Sequence, residues 1–413
     1  MTETNWAGNI AYATSNIAKP RTVAEVQALV RSARKLRPLG SRHSFNWISD
    51  SDDTIVSLKG LERLYRLDRA NRTVTVDGGM TYGELAPRLD ADGFALANLA
   101  SLPHISIVGA VSTATHGSGN KNQNLAAAVS ALELVTASGD TVTLRRGDAD
   151  FDGAVVGLGA LGIVTAITVD VVPRFEVRQN LYIDLPFSAY VDNFEAITSA
   201  AYSVSAFTHW NSDRIAHVWL KGLADAPQRT GDLFGARAAD RPYHPITVMD
   251  PTPTTDQMGV LGPWYLRLPH FKMEFSPSAG AELQSEYFVP RKDGPAALRA
   301  LHAVQGQFSQ HLMVGELRTI AADKLWLSSA YQQDCLAFHF TWHPDWPAVK
   351  TVLPVIERAL TPFAVRPHWG KLFMMSKADI AARWARLDDF KALATKYDPT
   401  GKFRNKFLDE TVF

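Results

Sequence analysis

Two pairs of chemically active side chains in the second half of the chain each have a spacing of two residues. Glu316 and Arg318 form one pair, and His339 and Thr341 form the other. Side chains two residues apart on a β-strand point to the same face. A carboxylate, a guanidinium, an imidazole and a hydroxyl can bind a polar substrate and accept its proton. The pattern fits the polar floor of a cavity, and it fits equally a solvent-facing strand with a Glu–Arg pair.

The residues around these pairs point to a layered arrangement. Phe338, Phe340 and Trp342 alternate with His339 and Thr341, so aromatic side chains would line the opposite face of that strand. A third segment, HWGK at residues 368–371, places a lysine directly after a glycine. Because glycine lets the backbone approach its neighbours closely, this segment is a candidate to bring its lysine to the same site.

Two glycine-rich stretches could hold an anionic cofactor. They are GSRHSFN at residues 40–46 and SLPHISIVGAVSTATHGSG at residues 101–119. Small residues let backbone N–H groups approach phosphate oxygens without the help of lysines. His43 lies within the first stretch, where a loop histidine on its own would more often be a hydrogen-bonding or surface residue.

A third glycine pattern is rejected as a cofactor motif. Gly157, Gly159 and Gly162 match the dinucleotide fingerprint G-x-G-x-x-G, which requires a strand before the glycines and a helix after them. Here a β-branched run follows at once, so we predict a tight turn before a buried strand. No Walker A sequence is present.

The elements that must position these residues follow from local patterns. Thr22 and Glu25 predict the start of a helix, and the segment beginning at Thr81 predicts a second helix that ends at Gly93. Two hairpins are expected, one turning at residues 69–72 and the other at 138–140. The pattern changes near Pro173 to longer loops and alternating strands, so we predict a domain boundary there.

The composition limits the class of protein. The chain has 413 residues, 46% of them hydrophobic, and its 42 basic residues equal its 42 acidic residues. Such a chain folds, has room for two or three domains, and lacks the basic surface that nucleic acid or an anionic membrane requires. Cys335 is the only cysteine, which excludes an intrachain disulfide and a multi-cysteine metal site. With no signal sequence or membrane span recognisable, we expect a cytoplasmic protein.

Six segments in order give the chain a resemblance to a known family. The two glycine-rich stretches resemble the flavin-binding segments of the vanillyl-alcohol-oxidase superfamily. TNWAGN at Thr4, GALGIVT at Gly159, PHWGK at Pro367 and DPTGKF at Asp398 are similar to its alditol oxidase branch. The resemblance covers nearly the whole chain. Some relatives have glycine at the position of Arg42.

The resemblance implies an α+β fold of two domains. Residues 1–175, completed by the C-terminal tail 372–413, would form an FAD-binding domain of two α/β subdomains. Residues 176–371 would form a substrate-binding cap with a mainly antiparallel sheet. His43 would be joined covalently to FAD. The other implied FAD contacts are Leu39, Gly40, Ser41, Arg42, Ser44, Ser101, Ser106, Gly109, Thr113, Ala114, Thr115, His116 and Val164.

The resemblance also implies a reaction, in which the terminal primary alcohol of an alditol such as xylitol or sorbitol becomes an aldose while O2 is reduced to H2O2. The implied substrate contacts are Ser101, Glu316, Arg318, His339, Thr341 and Lys371. Arg318 and Lys371 would stabilise developing negative charge on the substrate oxygen. His339 is the candidate proton acceptor, and Glu316 would accept a hydroxyl hydrogen bond and orient Arg318. No metal is expected, and we expect a monomer.

Two alternatives remain open at this stage. One is an aldonolactone oxidase or dehydrogenase of the same superfamily, acting on a gulono- or galactono-lactone. The other is a non-catalytic carbohydrate-binding protein, in which aromatic side chains stack on sugars. The candidate platforms for the second alternative are Trp326, Trp342, Trp346 and Trp369.

Overall fold

The chain opens with a small parallel sheet. In the computed structural model, which describes residues 3–227, 229, 231–275 and 280–413, its strands are β1 (Ile17–Ala18), β2 (Leu36–Leu39) and β3 (Thr54–Ser57), in the order β1-β3-β2. Helix α1 (Val23–Ser32) connects β1 to β2. Its first turn is capped by Thr22, whose hydroxyl accepts a hydrogen bond from the Glu25 N–H at 3.2 Å. The predicted start of this helix is confirmed.

A second sheet is antiparallel. Its strands, and a separate strand pair, are β4 (Tyr65–Asp68), β5 (Thr73–Asp77), β6 (Phe94–Ala95), β7 (Val129–Val135), β8 (Thr141–Arg145), β9 (Ile163–Asp170) and β10 (Val172–Pro173). The sheet order is β4-β5-β9-β7-β8, and β6 pairs with β10. Both predicted hairpins are present as β4–β5 and β7–β8. Strand β9 begins directly after Gly162, which confirms the turn-then-strand prediction for the rejected glycine motif.

The third sheet is larger. It is built from the chain after Pro173, where the sequence changes to longer loops and alternating strands. Its strands are β11 (Glu176–Pro186), β12 (Ser203–Thr208), β13 (Arg214–Leu223), β14 (Arg237–Ala238), β15 (Gly262–Pro263), β16 (Leu283–Pro290), β17 (Leu312–Ile320), β18 (Cys335–Trp342) and β19 (Arg366–Pro367). The order is β14-β11-β13-β12-β17-β18-β16-β19, with β15 beside β11. The pairs are antiparallel throughout. Strands distant in sequence therefore lie side by side.

The remaining helices connect or cover these sheets. They are α2 (Tyr82–Ala91), α3 (Ile107–Ser112), α4 (Phe151–Ala154), α5 (Phe187–Asp192), α6 (Phe194–Thr198), α7 (Gly294–Val304), α8 (Trp346–Leu360), α9 (Lys377–Ala381), α10 (Leu387–Tyr397) and α11 (Lys406–Thr411). Helix α2 carries a capping box from Thr81 and Glu84 and ends two residues before Gly93, as predicted. In the described part of the chain, no helix has the length and apolar character needed to cross a membrane.

Two large apolar cores hold these layers together. The first core joins the five-stranded sheet to residues of the C-terminal tail, including Phe390 and Leu408. The second core lies between the nine-stranded sheet and the helices α5, α7 and α8, and it contains Phe338 and Leu353. The tail therefore packs against the N-terminal half of the chain, because its apolar helix faces are buried there.

Candidate active site

A row of polar side chains crosses three neighbouring strands of the nine-stranded sheet. Glu316 on β17 lies directly opposite His339 on β18, and His339 lies directly opposite Glu286 on β16. All three side chains are buried. The interpretation of these strands as a solvent-facing surface is therefore wrong, and the polar side chains form the floor of a cavity.

The other face of the same strands is apolar, as the alternation predicts. Phe338, Phe340 and Trp342 pack in the second core, and the rings of Phe340 and Trp342 stack with centroids 5.3 Å apart. The Trp342 indole N–H donates to the Ser285 hydroxyl at 2.9 Å. Trp342 and Trp369 are completely buried, so neither of them can stack on a bound sugar.

Glu286 lies at the centre of the polar face. Its Oε1 accepts a hydrogen bond from Arg318 at 2.7 Å, and its Oε2 accepts one from Lys371 at 2.8 Å. The His116 Nε2 atom lies 3.2 Å from Oε1. Burial alone would raise the pKa of Glu286, but Lys371 and Arg318 hold it well below its usual value. Glu286 is therefore an anion that anchors two cations, the buried Arg318 and the partly buried Lys371.

Lys371 and His339 form a close pair beside this carboxylate. The Lys371 Nζ atom lies 2.6 Å from the His339 Nδ1 atom, and the His339 Nε2 atom lies 3.2 Å from the Thr341 hydroxyl. Burial, helped by the charge of Lys371, lowers the pKa of His339 to about 4. Burial also lowers the pKa of Lys371, while Glu286 opposes that shift. His339 is therefore neutral near pH 7 and accepts a hydrogen bond from Lys371.

Arg318 connects the sheet to the N-terminal half of the chain. Its Nη1 atom donates to the Ser101 hydroxyl at 3.3 Å, and its Nε atom lies 3.5 Å from Glu316 Oε1. Burial alone would lower the pKa of Arg318, but Glu316 and Glu286 raise it. The guanidinium therefore stays charged and lies between two carboxylates.

The loop at residues 40–46 positions the HWGK segment. The Phe45 N–H donates to the Gly370 carbonyl at 2.8 Å. The Asn46 amide donates to the carbonyls of Trp369 and Lys371 at 2.9 and 2.8 Å. These contacts bring the first glycine-rich stretch to the same place as the Lys371 side chain.

His43 lies in that loop with both ring nitrogens buried and without a hydrogen-bond partner among the described residues. Its ring stacks on Trp6, with centroids 5.1 Å apart. Burial lowers the pKa of His43 to about 4, so the ring is neutral near pH 7. The preceding residue, Arg42, has a left-handed φ of 65°, a backbone conformation in which glycine is favoured.

Next to His43, a channel lined by Gly40, Ser41, Ser106 and Gly109 continues the cavity. The Ser106 hydroxyl is buried and has no hydrogen-bond partner in the described part of the chain. A Cβ atom added at Gly40 or Gly109 would lie 2.4 or 2.6 Å from that hydroxyl oxygen. Ser41 Oγ accepts a hydrogen bond from the Ser106 N–H at 3.1 Å. A buried polar group without a partner among the described residues, packed against two glycines, fits a large polar ligand such as FAD.

One continuous cleft joins this channel to the polar face of the sheet. The predicted residues that line it are Leu39, Gly40, Ser41, Arg42, His43, Ser44, Ser101, Ser106, Gly109, Thr113, Thr115, His116, Val164, Glu316, Arg318, His339, Thr341 and Lys371. Ala114 is the exception. Its side chain is buried in the first core, whereas Thr113 and Thr115 on either side of it line the cleft.

Sequence reasoning missed several residues of the cleft. Glu286 and His270 both line it, and His368 lies beside Lys371 with its Nδ1 accepting from the Gly370 N–H at 3.0 Å. A signal for Glu286 is present, because Gln284 and Glu286 are two residues apart in an apolar strand, like the predicted pairs. No comparable pattern marks His270, which lies outside the regular elements.

Comparisons with known proteins agree with this architecture. A family model described as FAD binding domain matches residues 14–145, and one described as D-arabinono-1,4-lactone oxidase matches residues 281–411. A solvent-stable cholesterol oxidase superposes with a TM-score of 0.81 at 16% identity, covering 100% of this chain and 97% of that chain. The cholesterol oxidase of B. sterolicum gives 0.81 at 14% identity, covering 100% and 96%. The chain has the two-domain fold of FAD-linked oxidases.

Sequence relatives identify the family to which the chain belongs. An alditol oxidase of Streptomyces sp. is 47% identical over 412 residues, which covers 99% of this chain and 98% of that protein. An L-gulono-1,4-lactone dehydrogenase of Mycobacterium tuberculosis is 29% identical, covering 98% and 97%. The chain therefore belongs to the alditol oxidase family of FAD-dependent oxidoreductases.

Proposed function

We propose that this protein oxidises the terminal primary alcohol of alditols such as xylitol and sorbitol to the aldose, and reduces O2 to H2O2. One observation carries the proposal. The buried Arg318 and the partly buried Lys371, anchored by Glu286, line the same cleft as the His43 ring, which has no hydrogen-bond partner among the described residues. The alditol oxidase of Streptomyces sp. supports the choice of substrate.

We infer that FAD binds along the channel with His43 as its covalent attachment point. The ring nitrogens of His43 and the Ser106 hydroxyl, which have no hydrogen-bond partner among the described residues, and the glycines at 40 and 109 support this assignment. The other proposed FAD contacts are Leu39, Ser41, Arg42, Ser44, Ser101, Thr113, Thr115, His116 and Val164. FAD, when bound, supplies the acceptor for the hydride and passes its electrons to O2.

The polar face suits a substrate that carries a hydroxyl on every carbon. Each buried hydroxyl without a partner costs about 1–3 kcal/mol, so selective binding requires many donors and acceptors. Ser101, Thr341 and Glu316 supply hydroxyl and carboxylate groups beside the two cations. We assign these three residues to the non-reacting hydroxyls.

Lys371 and Arg318 stabilise negative charge on the reacting oxygen, because both are preorganised cations in a buried site. We propose that the hydroxyl proton reaches His339 through Lys371. The Lys371 ammonium passes one proton to His339 Nδ1, 2.6 Å away, and the amine so formed takes the proton of the substrate hydroxyl, which restores the ammonium. The imidazolium so formed lies 3.7 Å from Glu286, whose negative charge stabilises it.

We propose that residues 1–175 and 372–413 form the FAD-binding domain and that residues 176–371 form the cap. The C-terminal tail packs in the first core, which supports its assignment to the FAD-binding domain. Leu325 and Leu327 from the cap range also pack there, so contacts between the two domains are extensive. A monomer is proposed, with the polyol and O2 as small-molecule partners.

The test measures the absorbance spectrum of the purified protein and its peroxide release with xylitol, sorbitol and L-gulono-1,4-lactone. The expected result is a flavin spectrum and peroxide release with the polyols. Peroxide release with the lactone alone would favour a lactone oxidase, consistent with the family match at residues 281–411. Polyol oxidation with an artificial acceptor but without O2 consumption would make the protein a dehydrogenase. Colourless protein would overturn the proposal.

A further inference from the structure

A lysine is buried beside the cleft without a carboxylate partner among the described residues. Lys221 on β13 is 1% exposed. Its Nζ atom donates to the carbonyls of Leu268 and Pro269 and to the Nδ1 atom of His270, which is 3.0 Å away. These three acceptors satisfy the three N–H groups of an ammonium. Burial of a charged group is costly, and a methionine would fill a similar volume without that cost.

The contact with Lys221 decides which nitrogen of His270 carries the proton. Burial lowers the pKa of Lys221 to about 7, and the charge of Glu316 opposes that shift. When Lys221 is protonated it donates to Nδ1, so the proton of the neutral ring lies on Nε2. The Nε2 atom lies 2.8 Å from Glu316 Oε1, so His270 donates to that carboxylate. Burial, helped by the charge of Lys221, lowers the pKa of His270 to about 4, which agrees with a neutral ring.

The His270 ring is held in one orientation by its surroundings. The rings of Phe207 and Trp219 pack against it in T-shaped arrangements, with centroids 5.5 and 5.2 Å from that of His270. The backbone N–H of His270 donates to the Ser101 carbonyl at 3.0 Å. Ser101 in turn accepts from Arg318, so the four polar residues Ser101, Arg318, Glu316 and His270 form a closed ring of contacts.

In this arrangement one carboxylate oxygen of Glu316 already accepts a hydrogen bond, and the other is available to a ligand. Oε1 accepts from His270 and lies 3.5 Å from Arg318. Oε2 has no hydrogen bond within the part of the chain that the structure describes, and Glu316 lines the cleft. An ionised carboxylate oxygen in a buried site is a strong acceptor for a hydroxyl group.

We propose that Lys221 and His270 are positioning residues for substrate recognition. Lys221 fixes the tautomer of His270, and His270 fixes the Glu316 carboxylate so that its Oε2 atom accepts a hydrogen bond from a non-reacting hydroxyl of the polyol. Neither residue is required to touch the reacting carbon. The inference rests on the proposed function, because it assigns the hydroxyl-binding group of the same cleft.

The experiment uses the flavin-loaded enzyme and its Lys221→Met variant, with xylitol as substrate. Loss of a hydrogen bond to a charged group corresponds to at least about a tenfold loss of binding. We therefore expect KM to rise about tenfold or more, while kcat changes less than about threefold. The ring-nitrogen NMR signals of His270, assigned by their absence in His270→Gln, report the tautomer directly. We expect protonated Nε2 in the wild type and a population of protonated Nδ1 in the variant.

Two further variants keep the inference testable if Lys221→Met does not fold. Glutamine at position 270 retains an N–H donor for Glu316, whereas phenylalanine has none. We expect His270→Gln to keep KM within about threefold of the wild type and His270→Phe to raise it about tenfold or more. Equal KM values for these two variants, or a wild-type His270 protonated on Nδ1, would overturn the inference.

The matched control is Lys272→Met. Lys272 lies in the loop that carries His270, two residues further on, and forms an ion pair with Asp256 at 3.3 Å. The KM of this variant is expected to equal that of the wild type. A similar rise in KM for Lys272→Met would attribute the effect to the loop in general and would overturn the inference. Failure of the proposed function can be told apart from failure of this inference. If the proposed function is wrong, the wild-type protein releases no peroxide with xylitol, but the tautomer of His270 can still be measured.

Discussion

Glu286 and His339 lie directly opposite each other on neighbouring strands and hold the Lys371 ammonium between them. The Nζ atom is 2.8 Å from Glu286 Oε2 and 2.6 Å from His339 Nδ1. The carboxylate favours the charged form of the lysine, against the effect of burial. The lysine occupies the ring nitrogen that would otherwise accept a proton directly. The predicted role of His339 therefore depends on Lys371, which makes the two residues a single functional unit.

Replacement of His43 tests the covalent attachment. We expect His43→Ala to lose acid-stable flavin, because the ring nitrogens that His43 presents are the proposed attachment atoms. The measurement is flavin absorbance in the pellet and supernatant after acid precipitation. His311→Ala, which removes a histidine outside the cleft, serves as the control. A His43→Ala pellet that retained all its flavin would contradict the assignment.

Replacement of Lys371 tests the electrostatic role. Loss of one preorganised donor at a developing oxyanion costs about 10²–10³ in rate. We expect Lys371→Met to slow flavin reduction by xylitol by at least that factor, while FAD content stays at the wild-type level. Anaerobic stopped-flow absorbance measures the rate. A normal reduction rate would remove Lys371 from the mechanism.

Replacement of Glu286 tests the anchoring of the two cations. Removal of one partner from a buried ion pair costs about 3–5 kcal/mol, because the remaining charge is left buried and unpaired. We expect Glu286→Gln to lower the free energy of unfolding by roughly that amount, measured by urea denaturation. The control is Asp388→Asn, which breaks an exposed pair with Lys391 and should cost less than about 1 kcal/mol. Equal effects of the two variants would argue against the anchoring role.

Buried histidines predict a loss of stability in mild acid. Burial lowers the pKa of His217 to about 4, whereas an unfolded histidine titrates near ~6.5. Between these values the unfolded chain binds more protons, so stability falls as the pH decreases from about 6.5 to about 4. We expect His217→Phe to reduce this slope by about 1.4 kcal/mol per pH unit. Urea denaturation across that range measures the slope, and the range from about pH 7 to 8 serves as the control. An unchanged slope in His217→Phe would contradict the prediction.

Local periodicity accounts for much of what the sequence predicts. The side chains of a strand alternate between its faces, so alternation alone assigns Glu316 with Arg318, and His339 with Thr341, to shared faces. Helix α1 begins where Thr22 indicates, since an N-cap depends on residues close in sequence. Composition is enough to locate the glycine-rich stretches, but their resemblance to flavin-binding segments is needed to interpret them.

Local periodicity does not predict the register between strands that are distant in sequence. Glu286 comes to lie beside His339 only because β16 pairs with β18, and residues of equal spacing could pair in another register. His270 depends on a loop whose course is set by contacts with Ser101 and Lys221. The neighbours of Ala114 suggest an FAD contact, yet its backbone has a φ of 55° and its side chain packs in the core.

Residue types and their alternation were enough to identify the chemical groups of this protein: the acidic and basic side chains of an ion network, a histidine in a glycine-rich loop, and strands with one polar and one aromatic face. The partners of these groups became known from the folded chain, in which Glu286 anchors Arg318 and Lys371, and Lys221 contacts His270, which in turn contacts Glu316. The difference arises because residue type and alternation are local properties of the chain. Hydrogen bonds and ion pairs between buried side chains depend on strand pairing and loop packing, which bring residues together from distant parts of the sequence.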